Sequence, residues 1–566
     1  MFALYLGLSI IFFASAWRDP FHQAPGGGSD AQQSMWFLSW TAVALAHGLN
    51  PFVTHYLDYP YGANLMWNTS LLLPGALFTP LTLTLGPVFT YNTMLTLALA
   101  TSAFAAFLLG LRLTGSRVGA AVAGLVYGFS PFALAEAASH AFLSFTWAPP
   151  LVLLLGYELF SVQERRPVLL GLGLGTVIAC QLLISEEILA VTLLLGTIGI
   201  IAVRRLGIDF RGRSMRFAAM GLATAVLPVT LLDFFPLKAQ FFGPQRLAGV
   251  IHGADLYVSD LASFVVPTKS FAIAPGWLTS VSDQFTGNVN EWTSYLGIPL
   301  AILVGFLIVR AWRRNGLWRW VAFMTMAAAV LSLGPFPHLA GRELYLPLPW
   351  MLFQFLPLFR DVLPTRISLF TDLGVALLLA FFLVEKRPLD YRRLLIVGLA
   401  LIPLVPSWPP PTYPRSAPRF FSAGEVEKVI PAGSVVLVAP LASGAGLTGK
   451  TAILQEASAM GWQAACGMCF KMPEGYVLAP SSSGAAQPGP PETRLELDMV
   501  SIANGEAVSM PQGAERQSIL DHLRRDQVTA IIVGPMNREG TMVSYMTHLA
   551  GRPQGHDGSV YWWTLR

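Results

Sequence analysis

Long apolar runs are the feature that most constrains this chain. An α-helix needs about 20 apolar residues to cross the roughly 30 Å hydrocarbon core of a bilayer. About eleven runs of suitable length occur before residue 408. We predict membrane-spanning helices at 2–17, 91–111, 118–135, 141–160, 167–184, 188–203, 217–236, 294–310, 317–334, 365–384 and 393–407. The chain is therefore expected to be a polytopic α-helical membrane protein.

The composition excludes three other classes of protein. Hydrophobic residues make up 54% of the sequence and charged residues only 12%, whereas a soluble domain carries roughly 25% charged residues. A wholly soluble enzyme and a disordered chain are both excluded, since disorder requires low hydrophobicity and high charge. The formal net charge of +4 is too small for a nucleic-acid-binding protein, which needs many basic contacts to phosphate.

Basic residues predict how the helices are oriented. Lys and Arg beside membrane spans are retained on the cytoplasmic side. With the amino terminus inside, 17 of the 24 basic residues of 1–408 fall on that side. The run 71–89 contains three prolines, and a crossing there would reverse the pattern, so we interpret it as an interfacial or juxtamembrane helix. The protein is thus placed in the cytoplasmic (plasma) membrane, with its carboxyl-terminal part outside.

The first apolar run has a second interpretation. Ala14-Ser15-Ala16 resembles the cleavage site of a signal peptide, although the basic region that normally precedes such a signal is missing. Retention of 2–17 as a span and its cleavage both leave 18–90 outside. The long first external loop is therefore expected in either case.

A proline-rich stretch at 406–414 marks a domain boundary, which we place at about 409. Such a stretch can neither continue a helix nor join a sheet. Residues 1–408 then form the transmembrane domain, with long external loops at 18–90 and 238–293. The rest, 409–566, forms an extracytoplasmic domain.

The sequence of this second domain predicts an α/β fold. Short apolar β runs occur at 433–440 and 528–535, and an amphipathic helix at 515–526 precedes the second. Cys466 and Cys469 form a single CxxC motif, for which a local disulfide and free thiols are both open alternatives. We assign this motif no function.

The first external loop contains the most informative polar residues. Long ordered loops in a compact protein are more often functional than accidental. Asp30 lies at the predicted start of a helix near residue 31, with Trp36 and Trp40 one turn apart on a face expected at the membrane surface. Ser29 or Asp30 could cap this helix, which gives Asp30 a structural alternative.

This layout resembles the GT-C superfamily of membrane glycosyltransferases, which includes protein mannosyltransferases and aminoarabinose transferases, and more loosely the YfhO-type branch. The shared features are one span, a long external loop with amphipathic helices, further spans up to about a dozen, and an external carboxyl-terminal domain. In that superfamily an acidic residue of the first loop acts as the base or positions the acceptor. The resemblance implies this catalytic role for Asp30, with Asp19 second and Asp58 third, although Ala31 replaces the second member of the usual acidic pair.

The resemblance also implies a polyprenyl-phosphate sugar donor, whose leaving phosphate needs a cation at the outer membrane face. External basic residues are few, and Arg360 and Arg366 bracket a proline at the entry to a span. We predict that these two arginines bind the donor phosphate. The alternatives are that Arg360 pairs with Asp361 and that Arg366 snorkels to the interface.

Six further residues are candidates for a cavity at the outer face. Carboxylates at membrane depth usually face a cavity or a basic partner, and tryptophan planes can stack on a sugar. The structural alternatives are a solvated turn for the glutamates, a satisfied interfacial position for a histidine, and interfacial anchoring for the tryptophans. The six residues are His140, Glu186, Glu187, His252, Trp277 and Trp292.

Together these features predict a GT-C-like glycosyltransferase. It would move a sugar from a polyprenyl-phosphate donor in the membrane lipid to a glycan, lipid or protein acceptor, with no nucleic-acid partner. Two other functions stay open: a transporter or flippase of lipid-linked saccharides, and a non-catalytic component of cell-envelope assembly. The sequence assigns no cofactor, and a divalent metal is an open alternative to arginine for neutralising the phosphate.

The predicted topology can be tested by cysteine labelling at Ser416 and Gly540, in a chain whose native cysteines have been replaced. We expect a membrane-impermeant maleimide to label both positions in intact cells, because 409–566 lies outside when most basic residues lie inside. Labelling that requires permeabilisation would place every proposed site on the wrong face.

Overall fold

A computed structural model describes residues 1–203, 205–208, 214–247, 251–357, 359–385, 390–442, 457–480, 485–488 and 493–565. The chain forms two compact units. Unit 1 comprises Met1–Ala14, Leu95–Phe234 and Val250–Pro410; unit 2 comprises Ser15–Met94, Phe235–Gly249 and Pro411–Arg566. The first external loop therefore belongs with the carboxyl-terminal part of the chain, whereas the sequence analysis grouped it with 1–408.

Four helices in the described residues are long and apolar enough to cross a membrane. They are Pro87–Thr114, Ala141–Val162, Met215–Phe242 and Pro364–Val384. The helices Arg117–Gly128 and Pro131–Ala137, bent by 45° at the break between them, make a fifth when taken as one span. Pro131 lacks an N–H group and starts the second helix, and the Ser130 Oγ caps it by accepting from the Ala133 N–H at 3.3 Å.

Helices also occupy the other six stretches in which we predicted spans. Each is shorter than the four helices above, so the total of eleven spans stays a prediction. The stretch 71–89 holds two short helices, Leu72–Leu77 and Thr79–Leu85, and the start of Pro87–Thr114. The six stretches contain Phe2–Phe12 with Ala14–Arg18, Pro167–Leu182, Glu186–Ala202, Ile298–Ala311, Gly316–Ser332, and Tyr391–Leu401 with Ile402–Leu404.

Helix Ser368–Val384 forms the centre of unit 1, and nearly all of its residues are buried. It packs against Arg117–Gly128 and Gly316–Ser332. A Cβ atom on Gly374 would lie 2.1 Å from the Thr325 Oγ1, so only glycine permits this close approach of two helices. The 3₁₀ turn Pro364–Ile367 directly precedes the central helix. The packing of the helix therefore fixes the position of this turn.

The smaller elements of unit 1 lie in its connecting segments. They are helix Gly276–Ser282, the 3₁₀ turns Val289–Glu291 and Pro349–Leu352, and the hairpin strands His338–Leu339 and Arg342–Glu343. The loop 238–293 is thus partly helical, and its last turn contains Glu291.

Unit 2 contains a four-stranded sheet with the order Gly555–Asp557, Val560–Thr564, Val528–Val533, Val435–Ala439. The last two strands lie in the two predicted β runs and pair in parallel, while the other neighbours pair antiparallel. Helix Gly513–Arg525 precedes strand Val528–Val533, close to the predicted helix 515–526. The other helices of the carboxyl-terminal part are Arg419–Ser422, Glu425–Val429, Ser458–Ala465, Arg494–Asn504 and Glu539–Ala550.

Short strands join distant parts of the chain within unit 2. Gln23–Pro25 pairs antiparallel with Thr412–Pro414, so the end of the proline-rich stretch shares hydrogen bonds with the first loop. The expectation that this stretch cannot join a sheet is therefore wrong for its last three residues. The remaining short strands are Val53–Thr54 with Ala63–Asn64, and Arg246–Leu247 with Ala485–Pro488 and Leu478–Pro480.

The first-loop helix runs from Ser29 to Ala46, and Gly28 is its N-cap residue. Asp30 is therefore not the cap but an acidic residue of the first turn, where the helix dipole favours negative charge. Trp36 and Trp40 stack on each other within the core of unit 2, and the Trp36 Nε1 donates to the Gln463 Oε1 at 2.5 Å. The expectation that these tryptophans lie at the membrane surface is wrong, because helix Ser458–Ala465 of the same chain packs over them.

Cys466 and Cys469 form a disulfide in unit 2. Helix Ser458–Ala465 ends immediately before this pair, and Gly467, at a φ of 69°, begins the turn that brings the two cysteines together. Of the two alternatives left open by the sequence, the structure has the local disulfide.

Candidate active site

Five ionisable side chains meet in the interior of unit 1. They come from four separate segments of the chain: the helix Pro131–Ala137 with the turn after it, the first turn of helix Glu186–Ala202, the 3₁₀ turn Val289–Glu291, and the turn Pro364–Ile367. We call this group the charged cluster, and its members are Glu136, His140, Glu187, Glu291 and Arg366.

Arg366 is the cation at the centre of the charged cluster. Its Nη2 donates to the Glu291 Oε1 at 2.6 Å, its Nε lies 3.2 Å from both oxygens of that carboxylate, and its Nη1 donates to the Glu187 Oε2. The guanidinium also lies 5.8 Å from the centre of the Phe142 ring. Only 12% of the side chain is exposed, so Arg366 is bound within the protein and does not snorkel to the interface.

The carboxylate partners of Arg366 also fix the backbone around it. The Glu187 Oε1 accepts from the Leu363 N–H at 2.9 Å. The Thr365 Oγ1 donates to the Glu291 backbone oxygen at 2.7 Å. Each segment that supplies a carboxylate is therefore hydrogen-bonded to the segment that supplies the arginine.

Glu136 and His140 form a second pair within the charged cluster. They lie four residues apart, and the His140 Nδ1 is 2.6 Å from the Glu136 Oε2. The same nitrogen lies 3.7 Å from the Glu291 Oε1, which connects this pair to Arg366. The Glu136 Oε1 is buried with no hydrogen-bond partner among the described residues, and an unpaired buried carboxylate oxygen is costly unless a ligand satisfies it.

Neighbouring charges outweigh burial for two of these groups. Burial raises the pKa of Glu291, but the charges of Arg366 and His140 lower it more, and the net pKa lies below the usual value. Burial lowers the pKa of His140, but the Glu136 carboxylate raises it more, to about 9. At neutral pH the cluster thus contains three acidic groups around one guanidinium and one imidazolium.

Three residues of the charged cluster are close enough together to hold a divalent metal ion. Glu136, His140 and Glu291 each offer one ligand atom, and these atoms lie within 4.8 Å of one another. Carboxylate oxygens and an imidazole nitrogen suit several divalent cations, and the unpartnered Glu136 Oε1 is an available ligand. The three donors therefore fit such a cation, which would replace the proton on His140.

Arg360, the other predicted phosphate ligand, lies outside the charged cluster. Its Nε donates to the Asp361 Oδ2 at 3.1 Å, while the Asp361 Oδ1 accepts from the Ile251 N–H at 3.0 Å. About a third of the Arg360 side chain is exposed. The pairing with Asp361, which was the alternative to phosphate binding, is present, and it engages only one of the three guanidinium nitrogens.

The remaining cavity candidates have separate environments. His252 packs edge-on against Tyr257, and partial burial together with the charge of Arg366 lowers its pKa. Glu186 lies in the first turn of its helix beside Glu187. Trp277 is 73% exposed, whereas the Trp292 Nε1 donates to the Thr286 backbone oxygen at 2.8 Å.

The three candidate bases of the first loop lie in unit 2. Asp19 is exposed and bonds to the His22 Nδ1 at 2.8 Å. Asp58 adopts a positive φ of 49°, its Oδ2 is buried without a partner among the described residues, and burial raises its pKa. Asp30 lies in the first turn of the helix Ser29–Ala46.

Sequence reasoning selected three members of the charged cluster, His140, Glu187 and Arg366, and did not select Glu136 and Glu291 as site residues. The spacing of Glu136 and His140 places them on one helical face, and this signal could have identified Glu136. Glu291 gives no local signal, because its partners Arg366 and His140 are 75 and 151 residues away in the chain. Only the tertiary structure brings it to the site.

Comparison with known proteins shows the fold of the chain. No family model matches the sequence, and no curated protein matches it. The arabinofuranosyltransferase AftD from Mycobacteria has a similar structure, with a TM-score of 0.57 at 14% identity over 100% of this chain. The Archaeoglobus fulgidus oligosaccharyltransferase in complex with Zn and sulfate gives a TM-score of 0.52 at 10% identity over 97% of this chain.

The chain is shorter than both of these proteins. The match covers 39% of AftD and 70% of the oligosaccharyltransferase. Both are membrane glycosyltransferases of the kind that the sequence layout resembles. At these identities the likeness establishes a common fold, and the chemistry must be argued from the residues of this chain.

We predict that removing one carboxylate of the charged cluster destabilises the folded protein. Glu291→Gln keeps the size of the side chain but leaves the buried Arg366 with Glu187 as its only carboxylate ligand. Removing one partner of a buried ion pair costs about 3–5 kcal/mol, so we expect a clearly lower melting temperature for purified protein. The matched control is Glu425→Gln, which breaks the exposed pair with Lys428 and should cost at most about 1 kcal/mol. Equal melting temperatures for the two variants would contradict the structural role of the cluster.

Proposed function

Because the chain has the GT-C fold, we propose that it is a membrane glycosyltransferase that moves a sugar from a polyprenyl-phosphate donor to an acceptor at the outer face of the cytoplasmic membrane. The observation that carries this proposal is the charged cluster. Three carboxylates, an arginine and a histidine are buried together inside a helical unit. Ionisable groups within membrane helices are costly and generally serve function.

The reaction requires a base and a means of stabilising the leaving group. The acceptor hydroxyl oxygen attacks the anomeric carbon, a new carbon–oxygen bond forms, and the bond from that carbon to the phosphate oxygen breaks. A carboxylate takes the proton of the hydroxyl, and the polyprenyl phosphate leaves with its negative charge. We assign the proton transfer to Asp30, because it lies in the long first loop and has no role as a helix cap. Asp19 and Asp58 are the second and third choices.

Arginine side chains are assigned to the leaving phosphate. Arg360 has two guanidinium nitrogens beyond the one that binds Asp361, and a guanidinium fork matches the geometry of phosphate oxygens. Arg366 is held by Glu187 and Glu291, so its part in phosphate binding would be to add positive charge from a fixed position. A divalent metal held by Glu136, His140 and Glu291, if bound, would supply further charge stabilisation for the phosphate.

A flippase or transporter of lipid-linked saccharides is the second candidate function. The observation that favours it is Asp372, which lies in the middle of the central span and is 3% exposed, with its Oδ2 unpartnered among the described residues. Buried carboxylates at such depth mark ion or substrate paths in transporters. A flippase would bind the same donor lipid without breaking its sugar–phosphate bond, so an assay of transfer separates the two functions.

The assignment of the base predicts that Asp30→Asn abolishes sugar transfer. Asparagine is nearly isosteric but cannot accept the proton, and general-base catalysis contributes about 10²–10⁴-fold to rate. The measurement is transfer of labelled sugar from a panel of polyprenyl-phosphate donors to cell-envelope glycan. Asp521→Asn, on an exposed helix of unit 2, is the matched control and should keep full activity.

Melting temperature completes this test. We expect Asp30→Asn to melt close to the wild type, because a negative charge in the first turn of a helix contributes only about 0.3–1 kcal/mol. Transfer retained in Asp30→Asn would pass the role to Asp19 or Asp58, whose Asn variants are measured in parallel. Wild-type transfer in all three variants would contradict a first-loop base.

Arg360→Lys is expected to weaken donor binding by roughly tenfold or more. The substitution keeps the charge but removes the fork, and one hydrogen bond to a charged group is worth about 1.5–3 kcal/mol. Arg342→Lys, at an exposed position of a hairpin in the same unit, is the matched control. Arg366→Lys is expected to weaken binding and also to lower the melting temperature, since two carboxylates lose their partner. Unchanged donor affinity in both Arg360→Lys and Arg366→Lys would remove the segment 356–366 from the donor site.

A further inference from the structure

Unit 2 contains a cavity of about 580 Å³, and none of the residues that line it has a role in the proposed reaction. It lies at the amino-terminal end of helix Ser29–Ala46, the helix that carries Asp30, beside strand Thr412–Pro414 and helix Ser458–Ala465. Its volume is within the usual range for small-molecule sites. All the residues that line it belong to parts of the chain on the predicted external side.

Two buried side chains of the cavity lining each have one polar atom without a partner among the described residues. Gln32 is 7% exposed; its Nε2 donates to the Ser458 Oγ at 3.4 Å, and its Oε1 has no hydrogen-bond partner among the described residues. Arg415 is 8% exposed, and its Nε likewise lacks a partner in that part of the chain. Buried polar groups in native proteins are normally paired, so two exceptions in one cavity point to a ligand that satisfies them.

Arg415 is also a buried cation without a counter-ion. Its Nη2 donates to the backbone oxygens of Gly26 and Gly28, and its guanidinium lies 5.9 Å from the centre of the Tyr413 ring. No carboxylate of the described residues forms an ion pair with it. Burying an unpaired charge is costly, and an anionic group of a ligand would provide the missing counter-charge.

The rest of the lining suits a saccharide. Tyr413, Phe420 and Trp462 provide aromatic surface, and Ser416, Ser458 and Ser559 provide hydroxyl groups. Rings of this kind can cover the apolar faces of a sugar while hydroxyl and amide groups bond to its edges. Among the charged residues that line the cavity, Arg415 and Arg419 oppose the single Asp557, so the balance favours an anion.

The backbone is adapted to this arrangement at one position. A Cβ atom on Gly27 would lie 2.9 Å from the Tyr413 Cζ. Glycine therefore allows the segment before the helix to lie against the ring of Tyr413, and the same segment supplies the two carbonyl oxygens that hold Arg415. The cavity wall and the buried cation are fixed together.

We propose that this cavity is the acceptor subsite and binds a saccharide that carries an anionic group, either a uronate carboxylate or a phosphate. This inference rests on the proposed function, because it names the acceptor class of that glycosyltransferase. The ligand's anion pairs with Arg415 and Arg419, its sugar ring packs on the aromatic side chains, and one of its hydroxyl groups donates to the Gln32 Oε1. Because Gln32 lies two residues after Asp30, the acceptor binds at the end of the helix that carries the assigned base.

The test measures binding to the purified full-length chain by isothermal titration calorimetry. The probes are trigalacturonic acid, its fully methyl-esterified form as a neutral match, and mannose 6-phosphate for the phosphate source. We expect trigalacturonic acid or mannose 6-phosphate to bind, and the neutral trisaccharide to bind at least roughly tenfold more weakly, because it lacks the charge-assisted hydrogen bonds. Preference for the uronate or for the phosphate identifies the source of the anion.

Two variants locate the binding site. Arg419→Gln removes an exposed cation, and Gln32→Met removes the buried amide at similar size; each should weaken binding of the anionic probe by roughly tenfold. Arg552→Gln, an exposed arginine that does not line the cavity, should bind like the wild type. Arg415 is left unchanged because it holds Gly26 and Gly28. Melting temperatures show whether each variant is folded.

The outcomes separate this inference from the proposed function. Equal binding of neutral and anionic trisaccharides, absence of binding by both anionic probes, or wild-type affinity in both cavity variants would overturn the anionic subsite. The sugar-transfer assay is read independently with the donor panel. If an anionic probe binds but no sugar transfer occurs, the anionic subsite is supported and the glycosyltransferase function is contradicted. If sugar is transferred to neutral glycans alone, the glycosyltransferase function is supported and the anionic subsite is contradicted.

Discussion

The arrangement of the charged cluster in unit 1 depends on the ion pairs of Arg366 with Glu187 and Glu291. The interior around them is apolar, so each charge must be satisfied by another side chain. The arginine fork can satisfy two carboxylates at once because it has three nitrogens in one plane. The three segments that carry these residues are consequently held together, and Glu136 and His140 join them through Glu291. The arrangement leaves one carboxylate oxygen, the Glu136 Oε1, without a partner.

The central helix explains why this cluster forms at one place. Ser368–Val384 is buried along nearly its whole length. A Cβ atom on Gly374 would clash with Thr325, so glycine allows this helix to lie this close to its neighbour. Arg366 lies two residues before it. The position of the cation is therefore determined by apolar packing, and the positions of the carboxylates follow from the cation. A change in the packing of the central helix would displace the charged groups as well.

Unit 2 depends on a different contact, between the first external loop and the end of the proline-rich stretch. Strand Gln23–Pro25 pairs with Thr412–Pro414, and Arg415 bonds to the oxygens of Gly26 and Gly28 directly after that strand. Trp36 and Trp40 bury their rings in the same unit. The first loop is thus a structural part of the folded unit, and this explains how Asp30 and Gln32 can have defined positions although they lie in a loop of more than seventy residues.

The sequence by itself determined the class of the protein and the positions of most helices. Apolar runs of span length predict helices from local hydrophobicity alone, which is why helical segments occupy all eleven predicted stretches. The parallel strands Val435–Ala439 and Val528–Val533 were predictable for the same reason. Hydrophobic patterning was also wrong at one place: it put Trp36 and Trp40 at the membrane surface, because an apolar helical face does not reveal whether lipid or protein covers it.

The tertiary structure decided which distant residues come together. Glu291 meets Arg366, and Gln32 meets Ser458, across more than seventy and four hundred residues, and no local pattern encodes a contact at that separation, since it arises only when independent segments pack together.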